Sequence, residues 1–418
     1  MINLNTMHLL ATIFLAMTLT IQCTTKTSDD KSDKKMTDFE KGTFGYDAAF
    51  LVKYQEMITL QSDDGKARML ISPAYQGRVM TSTTNGDEGM SFGWINYDLI
   101  ASGKLQQHIN PFGGEDRFWI GPEGGQFSVF FKTGTRFVLD DWFTPGDVDT
   151  VAYDVVKLDQ KHVVFTHNAH MQNYSGTNFD FRMDRQIDLF SDSKIGEILG
   201  VIPGSNISTI GYQSINMITN TGDNEWTQET GAISIWMLGM LVPSPAATIV
   251  MPYRTGDVEK LGPIVNDKYF GAIPEDRMKI EDGVIFLKAD GKNRDKIGLR
   301  PSRALPFAGS YDEENEALTI ISFTIPKDVT EYVSSMWEIQ DEPFGGDLVN
   351  AYNDGPVDGK ALGPFYELES SSPAAFLKPG ETMEHTHITM HFTGPKDELD
   401  AISRAVLGAG LAEIAGAF

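Results

Sequence analysis

Gly363-Pro-Phe-Tyr-Glu-Leu-Glu-Ser-Ser-Ser-Pro-Ala-Ala-Phe-Leu-Lys-Pro-Gly-Glu-Thr-Met-Glu-His-Thr-His-Ile-Thr-Met-His-Phe392 decides how this chain is read. Lys378-Pro379-Gly380-Glu381 predicts a turn, because proline presets φ at the first corner and glycine supplies the second. Two strands are expected around it. The first carries Glu367-Leu368-Glu369. The second alternates strictly, with Thr386, Ile388, Met390 and Phe392 on one face and His385, His387, Thr389 and His391 on the other. A carboxylate strand beside a histidine strand is the first place to look for chemistry.

Outward from this stretch the same two-residue period recurs. Ala67–Ile71, Arg78–Ser82, Gln126–Phe131, Val151–Val156, His162–Thr166 and Phe179–Leu189 read as strands, as do Gln213–Thr219, Ala232–Leu238, Gly283–Lys288, Ala317–Thr324 and Val333–Ile339. Turn signals such as Asp63-Asp64-Gly65, Asn85-Gly86 and Ser175-Gly176 separate them. Thr43–Tyr54 reads as a short amphipathic helix. The other helical pattern is Lys396–Leu407, with Leu399, Ile402 and Val406 on one stripe, Pro395 before it and Gly408 after it. No fixed-period repeat points to a propeller or solenoid. The expected class is therefore all-β with a short C-terminal helix, and no Pro/Ser-rich linker interrupts residues 42–395.

With 418 residues, 41% of them hydrophobic, and 40 glycines, the chain has material for a large core and many turns. A net charge of −24 argues against a nucleic-acid partner, whose phosphates would be repelled. At the N-terminus an apolar run from Leu9 to Ile21 ends at Cys23, the one cysteine, and polar residues follow to Lys35. The pattern predicts a signal peptide over residues 1–22, since such a segment does not belong to a packed core. Leu19-Thr20-Ile21-Gln22-Cys23 resembles a bacterial lipobox. Lipidation of Cys23, a tether over 23–41 and residence at the cell envelope are expected, with membrane contact through the lipid alone. A plain secretory signal is the other reading. The β body then spans 42–395, and the helix and tail 396–418.

Leu368-Glu369-Ser370 followed by Ser372-Pro-Ala-Ala-Phe-Leu-Lys-Pro-Gly-Glu381 resembles the C-terminal signature of galactose mutarotase-like proteins, the aldose 1-epimerase superfamily. Leu70-Ile-Ser-Pro-Ala-Tyr-Gln-Gly-Arg-Val-Met-Thr-Ser82 is similar to the family's N-terminal hairpin, and Ile215-Asn-Met-Ile-Thr-Asn220 to a stretch of its middle strands. The resemblance implies a β-supersandwich whose concave sheet binds a sugar, with Glu369 as the base at the anomeric hydroxyl. It also implies a general-acid histidine directly after Asn220, where this chain has Thr221. Loss of one proton-transfer group costs roughly 10²–10⁴-fold in rate.

A second candidate stretch, His108-Ile-Asn-Pro-Phe-Gly-Gly-Glu-Asp-Arg-Phe-Trp-Ile-Gly-Pro-Glu-Gly-Gly125, offers what a saccharide site needs. Arg117 is a fork for hydroxyls or carboxylates, Glu115 and Glu123 are acceptors or acid/base groups, and Trp119 is a flat platform. The alternative is a structural glycine-rich loop with an internal Arg–Glu pair. The His385/His387/His391 face has three readings: proton transfer with Glu369, a metal, or a solvated outer face. His391 sits roughly 13 Å along the strand from His387, too far to share an ion with it. Glu338 and Glu367 are further carboxylate candidates.

These patterns predict an enzyme acting on a sugar or oligosaccharide at or next to the anomeric carbon by carboxylate acid/base catalysis, epimerase-like or a lyase or hydrolase variant. Glu369 is the expected base and one of His385, His387 or His108 the displaced acid. Glu115, Arg117, Trp119, Glu123, Asn220, Glu338 and Glu367 are expected to hold substrate. No cofactor and no metal is expected. The alternative is a non-catalytic surface lipoprotein that binds glycans in the same groove.

Overall fold

Alternation at every second residue organises most of the chain in the computed structural model, which describes residues 35–418 except Asp358 and Lys360. The signal-peptide and lipid-anchor expectations, Cys23 included, lie outside the described residues. Three antiparallel sheets result. The largest has ten strands, from the edge strand Met278–Glu281 through Val284–Lys288, Ala247–Pro252, Phe307–Asp312, Ala317–Phe323, Thr382–Thr393, Ser208–Asn220, Asn178–Leu189 and His162–Gln172 to Asp154–Leu158. A five-stranded sheet faces it, in the order Asp295–Leu299, Val349–Asn353, Tyr366–Ser371, Ser234–Leu241, Arg117–Gly121. Ile58–Gln61, Arg68–Ser72 and Arg78–Thr83 form the third.

The opening stretch divides between two sheets. Its turn forms as expected: the Glu381 amide donates to the Lys378 carbonyl at 2.9 Å, and Gly380 takes φ +83°. Yet Tyr366–Ser371 belongs to the five-stranded sheet and Thr382–Thr393 to the ten-stranded one. Extended Ser372–Leu377 carries the chain across, so the two strands face each other through the core rather than pairing.

Both faces of Thr382–Thr393 are covered in its second half. Met390 and Phe392 pack with Leu399, Ile402 and Leu407 of the helix Lys396–Leu407, which lies on the outer face of the large sheet. His385, His387 and His391 point the other way and are at most 1% exposed. The solvated-face reading is corrected here: a second sheet lies on those histidines. Burial pushes His385 down to about 3 and His387 down to about 4, so both are neutral imidazoles at pH 7. Ser370 Oγ lies 2.8 Å from His385 Nε2 and 2.8 Å from His387 Nδ1. One hydroxyl can donate to one ring and accept from the other.

Beside them Arg185 is fully buried between the sheets. Its guanidinium pairs with Asp116, donates to Asn216 Oδ1 at 2.7 Å and donates to the Gly77 carbonyl at 2.9 Å. Ser214 Oγ donates to the other Asp116 oxygen at 2.9 Å. Such a pair is sustained by its hydrogen bonds, because two desolvated charges gain little unless the remaining donors and acceptors are met.

Two expected strands are absent. Gln126–Phe131 and Val333–Ile339 are loops whose apolar residues pack ring on ring: Phe131 lies 5.1 Å from Trp337, and Phe130 stacks on Trp142 at 5.8 Å. Apolar content there reflects burial of a loop. The edge strand Asp154–Leu158 is exposed along its whole length, with a bulge between Val155 and Lys157.

Replacing Asp116 by Ala strands the buried Arg185 charge and should destabilise the protein by about 3–5 kcal/mol, measured by urea unfolding. The distant surface change Lys327→Ala should leave the urea midpoint within about 0.5 kcal/mol of the wild type.

Candidate functional site

Because neighbouring residues of a strand face opposite ways, Glu369 points away from Ser370 and from the histidines. Across the five-stranded sheet Glu369 sits opposite Asn350 on one side and Leu238 on the other, and Leu238 sits opposite Arg117. One step along, Glu367 lies between Tyr352 and Met240, and Tyr352 lies opposite Lys296. Directly opposed residues share a face. One surface of this sheet therefore gathers Glu367, Glu369, Lys296, Arg117, Asn350 and Trp236.

The centre is an ion pair. Lys296 Nζ lies 3.0 Å from both oxygens of Glu369, and Trp236 Nε1 donates to Glu369 Oε2 at 2.9 Å. The ammonium is ringed by aromatic faces, at 4.8 Å from the Trp236 ring, 5.4 Å from Tyr269 and 6.0 Å from Tyr352. The carboxylate keeps lone-pair capacity beyond these three bonds.

Glu367 has no such partner. Its Oε1 makes no hydrogen bond, and burial pushes its carboxyl up to about 8, with Arg117 opposing and Glu369 adding to the shift. Two carboxyls two residues apart are thus held in different environments, one ion-paired and one favoured as the neutral acid. Pairs separated in this way supply an acid and a base to one site. Glu123 approaches from the loop after Arg117–Gly121, and burial pushes it up to about 7.

Arg117 lies with its guanidinium 4.5 Å above the Trp119 ring, and Nη1 reaches the Met240 sulfur at 3.6 Å. Its Nε has no partner. Arg78 is its buried neighbour, bonded to the Gly113 carbonyl and Gln76 Oε1, both at 2.9 Å. Burial, with Arg117 adding to it, pushes Arg78 down to about 9. Trp119 supports Arg117 from below and donates its indole N–H to the Val148 carbonyl at 3.0 Å, so it is a pedestal rather than an open platform.

The remaining candidates are placed elsewhere. His385 and His387 are on the far side of the sheet from Glu369, so neither reaches it as the displaced acid. His391 bonds Thr319 Oγ1 through Nδ1 at 2.9 Å. Glu115 is also between the sheets, accepting from Tyr212 at 2.9 Å and from the Ser82 amide at 3.1 Å. His108 is on a loop, its Nδ1 2.6 Å from the Trp142 carbonyl. Asn220 spends its amide tying loops, donating to the Leu377 carbonyl at 2.9 Å and the Asn224 carbonyl at 2.8 Å. Thr221 and Glu338 are exposed. Among the described residues no group of three or more His, Cys, Asp or Glu side chains is arranged to hold a metal ion.

Lys296, Trp236, Tyr269, Tyr352 and Asp347 were not singled out in the sequence. A signal existed for Lys296: Ile297 and Leu299 face the core, so the alternating Lys296 and Gly298 must face the cleft. Ser234–Leu241 is buried at every position, so no alternation marks Trp236. Beside the Lys296 and Trp236 partners of Glu369 is a cavity of about 10 Å³, room for about one water, lined by Trp236, Lys296, Tyr269, Asp347, Asn350 and Ser234 among others.

Residues 42–418 match the family described as "Family of unknown function (DUF6786)". None of the curated proteins matches the chain. Among solved structures, the Slr1438 protein from Synechocystis sp. PCC 6803 is similar at a TM-score of 0.50 and 13% identity, over 82% of this chain and 96% of that one. A provisionally assigned aldose 1-epimerase from Escherichia coli K12 is similar at a TM-score of 0.47 and 12% identity, over 81% and 99%. A galactose mutarotase-like protein from Lactobacillus casei follows at 0.44 and 11%, over 81% and 100%.

The raised Glu367 carboxyl has a consequence for stability. The folded chain holds this proton where the unfolded chain has lost it, so stability falls as pH rises from about 4.5 toward about 8. Glu367→Gln should remove that loss: in urea titrations the variant gains on the wild type across this window and runs parallel to it below.

Proposed function

Since the chain belongs to this family of unknown function, its activity has to be argued from the site, and we propose that the Glu369 face binds a carbohydrate and moves protons at its anomeric centre. The observation that supports this most is the pairing of Glu369, ion-paired with Lys296, with Glu367, a buried carboxyl favoured as the neutral acid, on one face of one strand. In this reading Glu369 accepts the proton of the anomeric hydroxyl. Glu367 delivers one to the ring oxygen, in place of the histidine that the superfamily resemblance expects where Thr221 stands. The C1–O5 bond opens to the free aldehyde and recloses on either face, with the proton transfers reversed. Lys296 balances the charge of Glu369 as its proton is gained and lost, and Arg117 offers Nε to a sugar oxygen. Proton transfer of this kind contributes about 10²–10⁴-fold.

A glycan-binding role without turnover is favoured by one observation: Glu369 is already neutralised by Lys296. The two readings separate in one experiment. Exchange between anomers is followed by NMR for a panel of neutral and acidic sugars, with wild type, Glu369→Gln and Glu367→Gln. The enzyme reading expects binding retained and exchange reduced about 10²-fold or more in both variants. A folded wild type that binds a sugar without accelerating exchange leaves the binding role. Because Glu369→Gln unpairs Lys296, the double variant Lys296→Met/Glu369→Gln controls for a folding defect.

We also propose that the chain works at the cell envelope through lipid on Cys23. Cys23→Ser should then move the protein from the membrane to the soluble fraction, and unchanged membrane association would exclude the anchor.

A further inference from the structure

The chain between the strands Ala247–Pro252 and Met278–Glu281 crosses over the Glu369 face. It has one short helix, Val258–Leu261, and is otherwise irregular and mostly exposed. Two of its residues reach into the site. The backbone of Asn266 exchanges hydrogen bonds with Gly298 at 2.9 and 2.8 Å. Its side-chain Nδ2 donates to Asp347 Oδ2 at 2.8 Å. Tyr269 Oη donates to the same oxygen at 2.7 Å and accepts from Asn350 Nδ2 at 3.3 Å. The tyrosine hydroxyl is therefore held between a carboxylate acceptor and an amide donor, as a ligand hydroxyl would be.

Three further observations mark this as a built subsite. Asp347 is 5% exposed, its Oδ2 is engaged by the crossing segment, and its Oδ1 has no partner. Ser234, fully buried on the same cavity, has an unpartnered Oγ. The sheet also makes room for the pair: a Cβ on Gly298 would stand 2.2 Å from Asp347 Oδ2 and 2.4 Å from Asn350 Nδ2, so this position tolerates hydrogen alone. Buried polar atoms without partners are costly, and here they line one cavity.

We propose that Asp347 and Asn350 form the hydroxyl-reading subsite of this cleft, for a ligand carrying neighbouring hydroxyls, and that Tyr269 stands in that place until such a ligand displaces it. The proposal rests on the carbohydrate reading above and adds its specificity residues and its gate. Asp347 Oδ2 and Asn350 Nδ2 take one hydroxyl, with Asp347 Oδ1 and Ser234 Oγ left for the next. Lys296, 5.4 Å from the Tyr269 ring, gives up that aromatic cover when the ring leaves. A ligand binding only the open arrangement is weakened by the fraction of time the cleft is closed.

The test compares wild type, Tyr269→Phe and Asp347→Asn by amide hydrogen exchange of residues 264–273 and by Trp fluorescence titration with D-galactose and D-glucuronate. Tyr269→Phe keeps the ring and removes the hydroxyl. It should speed exchange in 264–273 and tighten the apparent sugar affinity, each by about tenfold, the weight of one hydrogen bond to a carboxylate. Asp347→Asn should also speed that exchange, yet weaken sugar binding. The opposite signs in affinity separate the subsite from simple loosening of the segment. Unchanged exchange in both variants overturns the gate. Asp347→Asn binding sugar as well as wild type overturns the subsite, while the carbohydrate reading stands if Glu369→Gln still blocks anomer exchange. A segment loosened in both variants with no sugar bound by any of the proteins overturns the subsite and the carbohydrate reading together.

Discussion

A β-strand shows its side chains to two sides in turn, and the strand Tyr366–Ser371 places both the cohesion and the chemistry of this protein on that constraint. Tyr366, Leu368 and Ser370 face the ten-stranded sheet, where Leu368 joins the apolar core and Ser370 links two buried imidazoles. Glu367 and Glu369 face the cleft. A one-residue slip in register would exchange the two sets, moving both carboxyls against the buried imidazoles and turning Leu368 toward an unpaired Lys296. Packing that keeps the core together is therefore also what aims the two carboxyls.

The two faces solve opposite electrostatic problems. Between the sheets, desolvation is met by the neutral His385 and His387 and by a charged pair whose hydrogen bonds are shared among Arg185, Asp116, Asn216 and Ser214. On the Glu369 side, Glu367 Oε1, Arg117 Nε and Asp347 Oδ1 have no hydrogen-bond partner, as His385 Nδ1 and His391 Nε2 have none between the sheets. In a chain of net charge −24, Lys296 and Arg117 lie on this one face, with Arg78 buried beside Arg117. Cationic groups against raised carboxyls on one buried face are the arrangement on which the proton-transfer proposal rests.

Much of the fold could be read from the sequence because alternation survives wherever one face is polar, as in Phe179–Leu189 or Thr382–Thr393. It fails where both faces are buried, as in Ser234–Leu241, and where loops are apolar for ring packing, as around Phe131 and Trp337. For the site, Glu369, Glu367 and Arg117 were recognisable as carboxylates and a guanidinium next to turn and glycine signals, and they do meet. The histidines misled for a definite reason. Sequence shows which residues share a strand face but not which sheet that face meets, and the Lys378–Glu381 turn joins two sheets instead of two paired strands. Lys296 and Asp347 are 73 and 22 residues upstream of Glu369, brought to it only by strand order.

The bulged edge strand Asp154–Leu158 bears on how this chain behaves in company. Val155, Val156 and Leu158 lie bare on it, a composition that invites another molecule to add a strand. The bulge between Val155 and Lys157 breaks the even row of backbone donors and acceptors that an added strand would need, and Asp154, Lys157 and Asp159 set charges along the same border. The bulge and the charges thus work against strand addition along a border that leaves apolar side chains in water.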